Sequence, residues 1–569
     1  MEYLYASLLR LPRPVLSVTI VAIMAVVLLV MPAPLTAGED APTVEGRLLD
    51  PQGEPVSGAH VSVLDNGESI GEAESNPDGS FLIDLEHLPE QSVLVHIRHA
   101  HFHDQEWRST PEAFQALQDD NNLYLSDLTM ERRVTIGFWV ATLTFVGLLV
   151  LIAMERLHNT LSALLGMAVI FLVSYIGAPI NPDLFILDFE RALQYINFEV
   201  FFLVLGMMIV ISIVEETGIF QWLSYLAYRI SRGRVWLLSI VLMCLTAVAS
   251  ALLDNVTTML LMTPISLQIA LALHMNPMAL LLPEVLASNV GGIATLIGTP
   301  TNILIGSYAG LSFNDFLINL TPGVLLAQAA LIVYAQIVFR KEYRAGSSAI
   351  SPTLAAKLAE NARITRPVVL RKAGVVFVGM LVIFAIGERF HLTPAVTALI
   401  GSILLLVWIQ PDVDEIMSAV DWTTLLFFIG LFVCVGALEE VGLIGQIAVL
   451  LGNLVSERLV LAVALMTYAA AFLSIVVANI PFTAAMLPVM AYLTRTIPGA
   501  TNNVLFYALS VGAAMGGNGS LIGASANLVT AGIAERAGYP IKYKTFMRYG
   551  LPSMVITVTI GLVWLFIRF

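Results

Sequence analysis

The sequence predicts an all-α polytopic membrane protein built as two inverted repeats, each with a re-entrant hairpin and a broken helix, and preceded by an extracytoplasmic β-sandwich domain. Three observations carry that expectation. Of the 569 residues, 57% are hydrophobic and 12% are charged, a balance outside the range of soluble globular proteins. Apolar runs of about 20 residues, enough helix to cross about 30 Å of hydrocarbon, recur along most of the chain. Blocks of sequence return at a near-constant offset of 224 or 225 residues.

The formal charge is -14, yet residues 33–133 alone hold 20 acids against 5 arginines, so the acidity belongs to one module. That distribution excludes a nucleic-acid partner for the chain as a whole. Cys244 and Cys434 lie about two hundred residues apart in apolar segments and read as small apolar fillers.

Residues 1–32 pair Arg10 and Arg13 with the apolar run "VLSVTIVAIMAVVLLVM". They read as a membrane anchor or a signal segment, with a retained anchor preferred because Leu35 is a poor residue for a cleavage site. Residues 33–133 change character: "TVEGRLLD", "AHVSVLD", "GSFLIDL" and "SVLVHIRH" alternate apolar and polar, with "PQGEPVSG", "DNG" and "NPDG" as turns. The pattern predicts a small β-sandwich and linker, and it resembles the carboxypeptidase regulatory-like (transthyretin-like) domain, which implies binding or scaffolding. In "HIRHAHFHD", His99, His101 and His103 are expected on one strand face and His96 on the other. Spacing alone supplies no complete metal-ligand set there, so a structural role is preferred.

From residue 134 onward, membrane segments are expected near 134–153, 160–178, 197–214, 277–307, 318–339, 374–388, 393–410, 422–438, 504–532 and 549–567, with further apolar stretches at 235–273 and 459–494. Placing the β-sandwich outside puts 18 of the 28 Lys and Arg on the inner side, which obeys the positive-inside rule. A basic cytoplasmic linker, 340–373, separates repeat 1 (134–339) from repeat 2 (374–569). The expected location is the inner (plasma) membrane of a bacterium.

"NFEVFFLVLGMM" from Asn197 matches "DWTTLLFFIGLF" from Asp421 at an offset of 224, and "EETGIF" matches "EEVGLI". "SALLDNVTTMLLMTP" matches "SIVVANIPFTAAMLP" at the same offset, and "GGIATLIGTPTN" matches "GGNGSLIGASAN" at 225. By the charge-derived topology, the segment from Asn197 and its copy from Asp421 cross in opposite senses, so the repeats are inverted. Inverted repeats with corresponding helices broken by Gly, Pro and polar residues point to a secondary transporter with its site near mid-membrane.

Between Arg234 and His274 the one formal charge is Asp254, with 19 residues on either side. A straight helix of that length would span about 58 Å, roughly twice the membrane. The segment must therefore turn back at Asp254, and the lack of a polar loop favours a re-entrant hairpin whose tip faces protein or water. That tip brings Asp254, Asn255, Thr257 and Thr258 towards Gly298, Thr299, Pro300, Thr301 and Asn302. In repeat 2 the candidates are Asn479 and Thr483 with Asn518, Gly523, Ser525 and Asn527. Carbonyl, hydroxyl and amide oxygens suit a sodium ion, and freed N–H groups at broken helix ends suit an anion. Asp254 aligns with Ala478 and Glu284 with Leu509, so carboxylates remain in one repeat only. An intramembrane carboxylate is a functional candidate by default.

These blocks resemble the ion transporter superfamily, in its arsenite-pump and sodium/proton-antiporter branch with the citrate-transporter-like domain, and in particular the P-like (pink-eyed dilution) proteins. The likeness covers about residues 134–569 and rests on "LLDNVTTMLLMTP", "NVGGIATLIGTPTN", "ANIPFTA" and "GGNGSLIGASANLVTAGIAE". It implies a homodimer, a scaffold part and a moving transport part, and two opposed hairpins. In related dicarboxylate carriers a Ser-Asn-Thr tip motif binds sodium and substrate; it falls here on Asp254, Asn255, Val256 and on Ala478, Asn479, Ile480, where the asparagines alone match. The functional expectation is a secondary active transporter of elevator type, moving a small inorganic or organic anion coupled to sodium or protons. Sodium/proton antiport and a passive anion channel are the alternatives. No cofactor and no firm metal site is expected, although sodium fits Asp254, Asn255 and Asn302. An enzyme is not expected, since the membrane part holds His158, His274 and His391 near segment ends and neither HExxH nor GxSxG.

Overall fold

The computed structural model describes residues 42–569 apart from 66, 90–91, 155, 346–359, 361 and 456–457. The expected anchor or signal segment, 1–32, lies outside the described residues. The chain divides between Glu131 and Arg132 into two compact units.

The first unit is a two-sheet β structure around one core. Its strands are β1 (Thr43–Leu49), β2 (His60–Asp65), β3 (Glu68–Glu74), β4 (Ser80–Asp84), β5 (Leu94–Arg98), β6 (Gln105–Arg108) and β7 (Asn122–Thr129), with helix α1 (Pro111–Asp120) before the last. One sheet has the order β4-β1-β7, with β1 and β7 parallel; the other is antiparallel, β3-β2-β5-β6. Alternation sets the buried face: Val61, Val63, Val95 and Ile97 are fully buried and share a core with Val44, Leu48, Ile83 and Leu123 of the other sheet. In the "NPDG" turn, Gly79 has φ +78° and a Cβ there would lie 2.4 Å from Leu48 O, so glycine is required.

The histidine segment departs from expectation. Strand β5 ends at Arg98, and His99, His101 and His103 occupy the irregular connection to β6 rather than one strand face. His99 Nδ1 accepts from the His101 N–H at 3.2 Å, and His101 is buried. This local bond takes a backbone donor that strand extension would have used.

The second unit is helical. Its first half contains α2 (Ile136–Ala153), α3 (Asn159–Leu172), α4 (Phe189–Tyr195), α5 (Phe198–Glu215), α6 (Ile219–Ser231), α7 (Val235–Leu252), α8 (Asn255–Ala272), α9 (Met278–Gly291), α10 (Pro300–Ala309), α11 (Phe313–Asn319) and α12 (Thr321–Val338). After α13 (Arg340–Ala345), the second half contains α14 (Pro367–Ile386), α15 (Pro394–Ile409), α16 (Val413–Ala419), α17 (Trp422–Glu440), α18 (Leu443–Val455), α19 (Leu459–Val476), α20 (Asn479–Thr496), α21 (Val504–Gly516), α22 (Ser525–Arg536) and α23 (Tyr543–Arg568). Among the described residues, ten helices are long and apolar enough to cross a bilayer.

The repeat is structural as well as sequential. Helices α4 to α8 recur as α16 to α20 with their starts displaced by 224 residues. The stretches 235–273 and 459–494 are the hairpins α7–α8 and α19–α20. The apolar run 277–307 is divided: α9 passes through a short 3-10 turn, Gly292–Ala294, to extended Thr295 and Thr299 before α10. Its partner α21 does the same through Gly517–Gly519, with Ser520 and Ala524 extended before α22.

Packing between halves is reciprocal. Helix α5 lies on α15 as α17 lies on α3, and α8 lies on α22 as α20 lies on α10. Equivalent glycines make the first pair of crossings: a Cβ on Gly206 would be 2.8 Å from the Ala398 backbone, and one on Gly430 would be 2.9 Å from that of Ala163. Such close backbone approach is how membrane helices gain dispersion energy without a hydrophobic driving force.

Candidate functional site

The tip of the first hairpin is two residues long, Leu253 and Asp254, between α7 and α8. Asp254 is the N-cap of α8: its Oδ1 accepts from the N–H groups of Val256 and Thr257 at 2.9 and 2.8 Å. Part of its presence is therefore explained by the cap, worth about 1 kcal/mol, and by the positive end of the helix dipole. Serine or asparagine would cap as well, so the charge itself needs another reason. At the second tip Ala478 occupies the N-cap without any side-chain bond.

The tip does not run out into a loop. Thr295, in the break after α9, donates its hydroxyl to Ala251 O, and Ser520, in the break after α21, donates to Ile475 O. Each hairpin is thus tied to the unwound stretch of its own half. Non-helical backbone at membrane depth survives only when sheltered in this way.

Across the halves runs a chain of asparagine amides. Asn255 Nδ2 donates to Asn289 Oδ1 at 3.0 Å, and Asn289 Nδ2 donates to Asn518 Oδ1 at 2.8 Å and to Asn527 Oδ1 at 2.9 Å. All four side chains are buried. Asn302 and Asn527 are repeat mates and make similar bonds, each to two carbonyls of its own break. Asn302 Nδ2 donates to Ile293 O and Thr295 O, and Asn527 Nδ2 donates to Gly517 O and Ser520 O. They hold the breaks open by satisfying carbonyls that the interrupted helices have released. Ser510 Oγ donates to Asn302 Oδ1 at 2.6 Å, a further bond across the halves.

The remaining candidates distribute around this network. Thr299 and Thr301 hydroxyls are 3.1 Å apart at the start of α10. Pro300 opens α10, and neither α10 nor α22 has a side-chain N-cap, although Ser525 begins the latter. Gly298 and Gly523 pass within contact of Gly292 and Gly517, a crossing with no room for Cβ. The hydroxyls of buried Thr258 and Thr483 have no hydrogen-bond partner among the described residues, whereas Thr257 is half-buried. Asn479 is buried beside its tip. Glu284 stands apart from the tips, on α9, where Thr246 Oγ1 donates to its Oε1 at 2.9 Å.

Asn289 and Ser510 are site residues that sequence reasoning does not single out. Their repeat mates are Ala514 and Val285, so the internal alignment gives no signal for them. The signal present is an uncharged polar residue inside an otherwise apolar run, in "LASNVGG" and in "YALSVGAAMGG".

At one end of the bundle Glu440, which closes α17, accepts from Tyr195 OH at 2.5 Å and pairs with Arg191 at 3.3 Å. Burial, then Glu440, hold the Tyr195 hydroxyl well above the usual tyrosine range, so it stays a donor. Its repeat mate Glu216, after α5, pairs with Arg366. The first set fastens the halves to each other outside the tip region, and the second holds the segment leading into α14 to the end of α5.

Comparison with known proteins places this architecture. The citrate transporter family CitMHS matches residues 149–512. An uncharacterized transporter of Mycobacterium tuberculosis is 37% identical over 431 residues, covering 76% of this chain and 98% of its own. The P protein of Homo sapiens is 35% identical over 516 residues, covering 77% of this chain but 60% of its own length. Among solved structures, the YdaH transporter of Alcanivorax borkumensis covers 76% of this chain and 98% of its own at 15% identity, with a TM-score of 0.48. The chain is a multi-pass membrane protein and belongs to the citrate transporter family.

Proposed function

We propose that this transporter is a secondary active carrier of a small anion, working by alternating access of the elevator type and coupled to sodium or protons. The anion sits between the hairpin tips, gripped by asparagine amides and the N–H groups at the starts of α10 and α22; Asp254, Asn255 and the break at 298–302 form the coupling side. The observation that carries this reading is the amide chain from Asn255 through Asn289 to Asn518 and Asn527. Among the described residues it leaves one amide N–H of Asn255 and one of Asn518 uncommitted, a neutral donor from each half for an anion, and a change in its geometry links the hairpin of one half to the break of the other. The family description, citrate transporter, makes small carboxylates the leading substrates.

Electrostatics supports coupling. Between residues 235 and 314 the formal charges are Asp254 and Glu284, with no lysine or arginine. An anion entering beside Asp254 meets repulsion in a low-dielectric site unless a cation or proton accompanies it. In the same reading the repeats are inverted, the protein is a homodimer in a bacterial inner membrane, and the β unit stands outside the cytoplasm. The test is reconstitution in liposomes with citrate and other small anions under imposed sodium or proton gradients, comparing wild type with Asp254→Asn. Altered ion dependence in the variant supports the assignment; identical dependence removes Asp254 from coupling.

A further inference from the structure

Glu284 is fully buried, one turn below where a ladder of polar contacts begins to climb towards the first tip. Thr246 of α7 donates to its Oε1. The other oxygen, Oε2, has no hydrogen-bond partner among the described residues. Ser266 of α8 approaches the same carboxyl, and its hydroxyl also lacks a partner of sound geometry. The carboxyl therefore lies enclosed by the hairpin and α9 with one donor and an idle hydroxyl beside it.

Among the described residues no basic group pairs with it. Helices α7, α8, α12 and α21, all packed on α9, carry no charged side chain, and Asp254 caps the hairpin tip. Helices α22 and α23, which also touch α9, carry Glu535, Arg536, Lys544, Arg548 and Arg568 towards their ends. The uncharged titratable groups on these elements are Cys244, Tyr334, Tyr507, Tyr543 and Tyr549, and none hydrogen-bonds to Glu284. Packing does not demand a carboxyl here either: the repeat mates of Thr246, Ser266 and Glu284 are Ala470, Met490 and Leu509, all buried.

The donor set decides what the site takes. An ionised carboxylate enclosed with one hydroxyl donor is far costlier than the neutral acid. Hard cations collect six or more oxygen ligands around their whole coordination sphere; here the side-chain oxygens at hand are those of Glu284, Thr246 and Ser266. Pro283 frees the carbonyl of Ala279, but Tyr343 OH donates to it at 3.0 Å. A proton needs no such sphere: placed on Oε2, it finds Ser266 Oγ as acceptor.

We infer that Glu284 is the proton-carrying group of this transporter and that it makes anion movement proton-coupled, a refinement that rests on the transport reading above. The neutral acid donates to Ser266 Oγ and so links α8 to α9. Loss of the proton to water reverses that bond, the Ser266 hydroxyl then donating to the carboxylate, and leaves a buried charge that draws water between hairpin and helix. The change reaches the tip along the ladder: Ser250 Oγ donates to Ser288 O at 2.9 Å, Ser288 Oγ reaches Asn255 O at 3.5 Å, and Asn255 bonds Asn289. A cleft of about 300 Å³, lined by Glu215, Tyr225, Tyr228 and Gln268 with Pro264 and Ile265, flanks the α8 segment that contains Ser266.

The test uses the purified full-length protein. Infrared difference spectra between about pH 5 and about pH 9 should show a neutral carboxylic acid C=O band that is lost in Glu284→Gln and kept in Asp254→Asn. In proteoliposomes with citrate as probe, Glu284→Gln should lower pH-gradient-driven uptake by roughly tenfold or more while citrate/citrate exchange stays within about threefold. If the glutamine variant fails to fold, Glu284→Leu, which copies the second half, gives the same readouts. A band and a pH response identical in wild type and variant overturn the inference. A band lost in the variant with no citrate flux in the wild type supports the proton site and counts against citrate alone.

Discussion

The side chain of Asn289 donates to Asn518 Oδ1 at 2.8 Å, joining helix α9 of the first half to the 3-10 turn of the second. The same amide group serves Asn527 and receives Asn255, so one buried residue touches a hairpin tip and the opposite break.

Replacing Asn289 with alanine should leave the oxygens of Asn518 and Asn527 without that donor and cost about 1–3 kcal/mol. Uptake should fall by at least tenfold, roughly the 1.4 kcal/mol that a lost site bond represents. Thermal unfolding in detergent and uptake into proteoliposomes check the two parts separately.

Asp254 separates cap from charge. Asparagine caps a helix about as well as aspartate, so Asp254→Asn should hold stability within about 0.5 kcal/mol, whereas Asp254→Ala loses about 1 kcal/mol. Both should alter the dependence of uptake on imposed ion gradients. Equal unfolding temperatures for the two variants would show that the cap contributes nothing.

Gly206 and Gly430 should tolerate no side chain. A Cβ at 2.8 or 2.9 Å from facing backbone forces the crossing helices apart, and Gly206→Ala or Gly430→Ala should each destabilise by about 1–3 kcal/mol. The control is Gly374→Ala on α14, where a Cβ meets nothing within 4 Å; its unfolding temperature should not fall.

The acidic β unit has its own core, in which Val61, Val63, Val95 and Ile97 are fully buried. Residues 42–131 expressed alone should therefore give a β-type circular dichroism spectrum and a cooperative melt. A featureless spectrum or a gradual melt would contradict an independent core.

How far the sequence reveals this arrangement depends on symmetry and charge. Hairpins and breaks are legible because Asp254 interrupts a run too long for one span and because "GTPTN" and "GASAN" recur in register. Helices α6 and α18, with 13 residues each, are not: they are too short for a span, and Arg229 interrupts the apolar pattern of the first. Asn289 escapes notice for the opposite reason, as an uncharged residue whose repeat mate, Ala514, is apolar. The histidine segment reads as strand because alternation continues past Arg98, but the His99–His101 bond turns the chain first. Asp254 stands out in the sequence for its charge, while its capping role depends on which N–H groups face it and emerges only in three dimensions.

Uphill transport tests the central claim most directly. Wild-type protein in liposomes, given external citrate and an imposed proton or sodium gradient, should accumulate citrate above the external concentration, and collapse of the gradient should release it. Citrate that enters only until the two sides are equal, whichever gradient is applied, would contradict a coupled carrier and leave a passive pore.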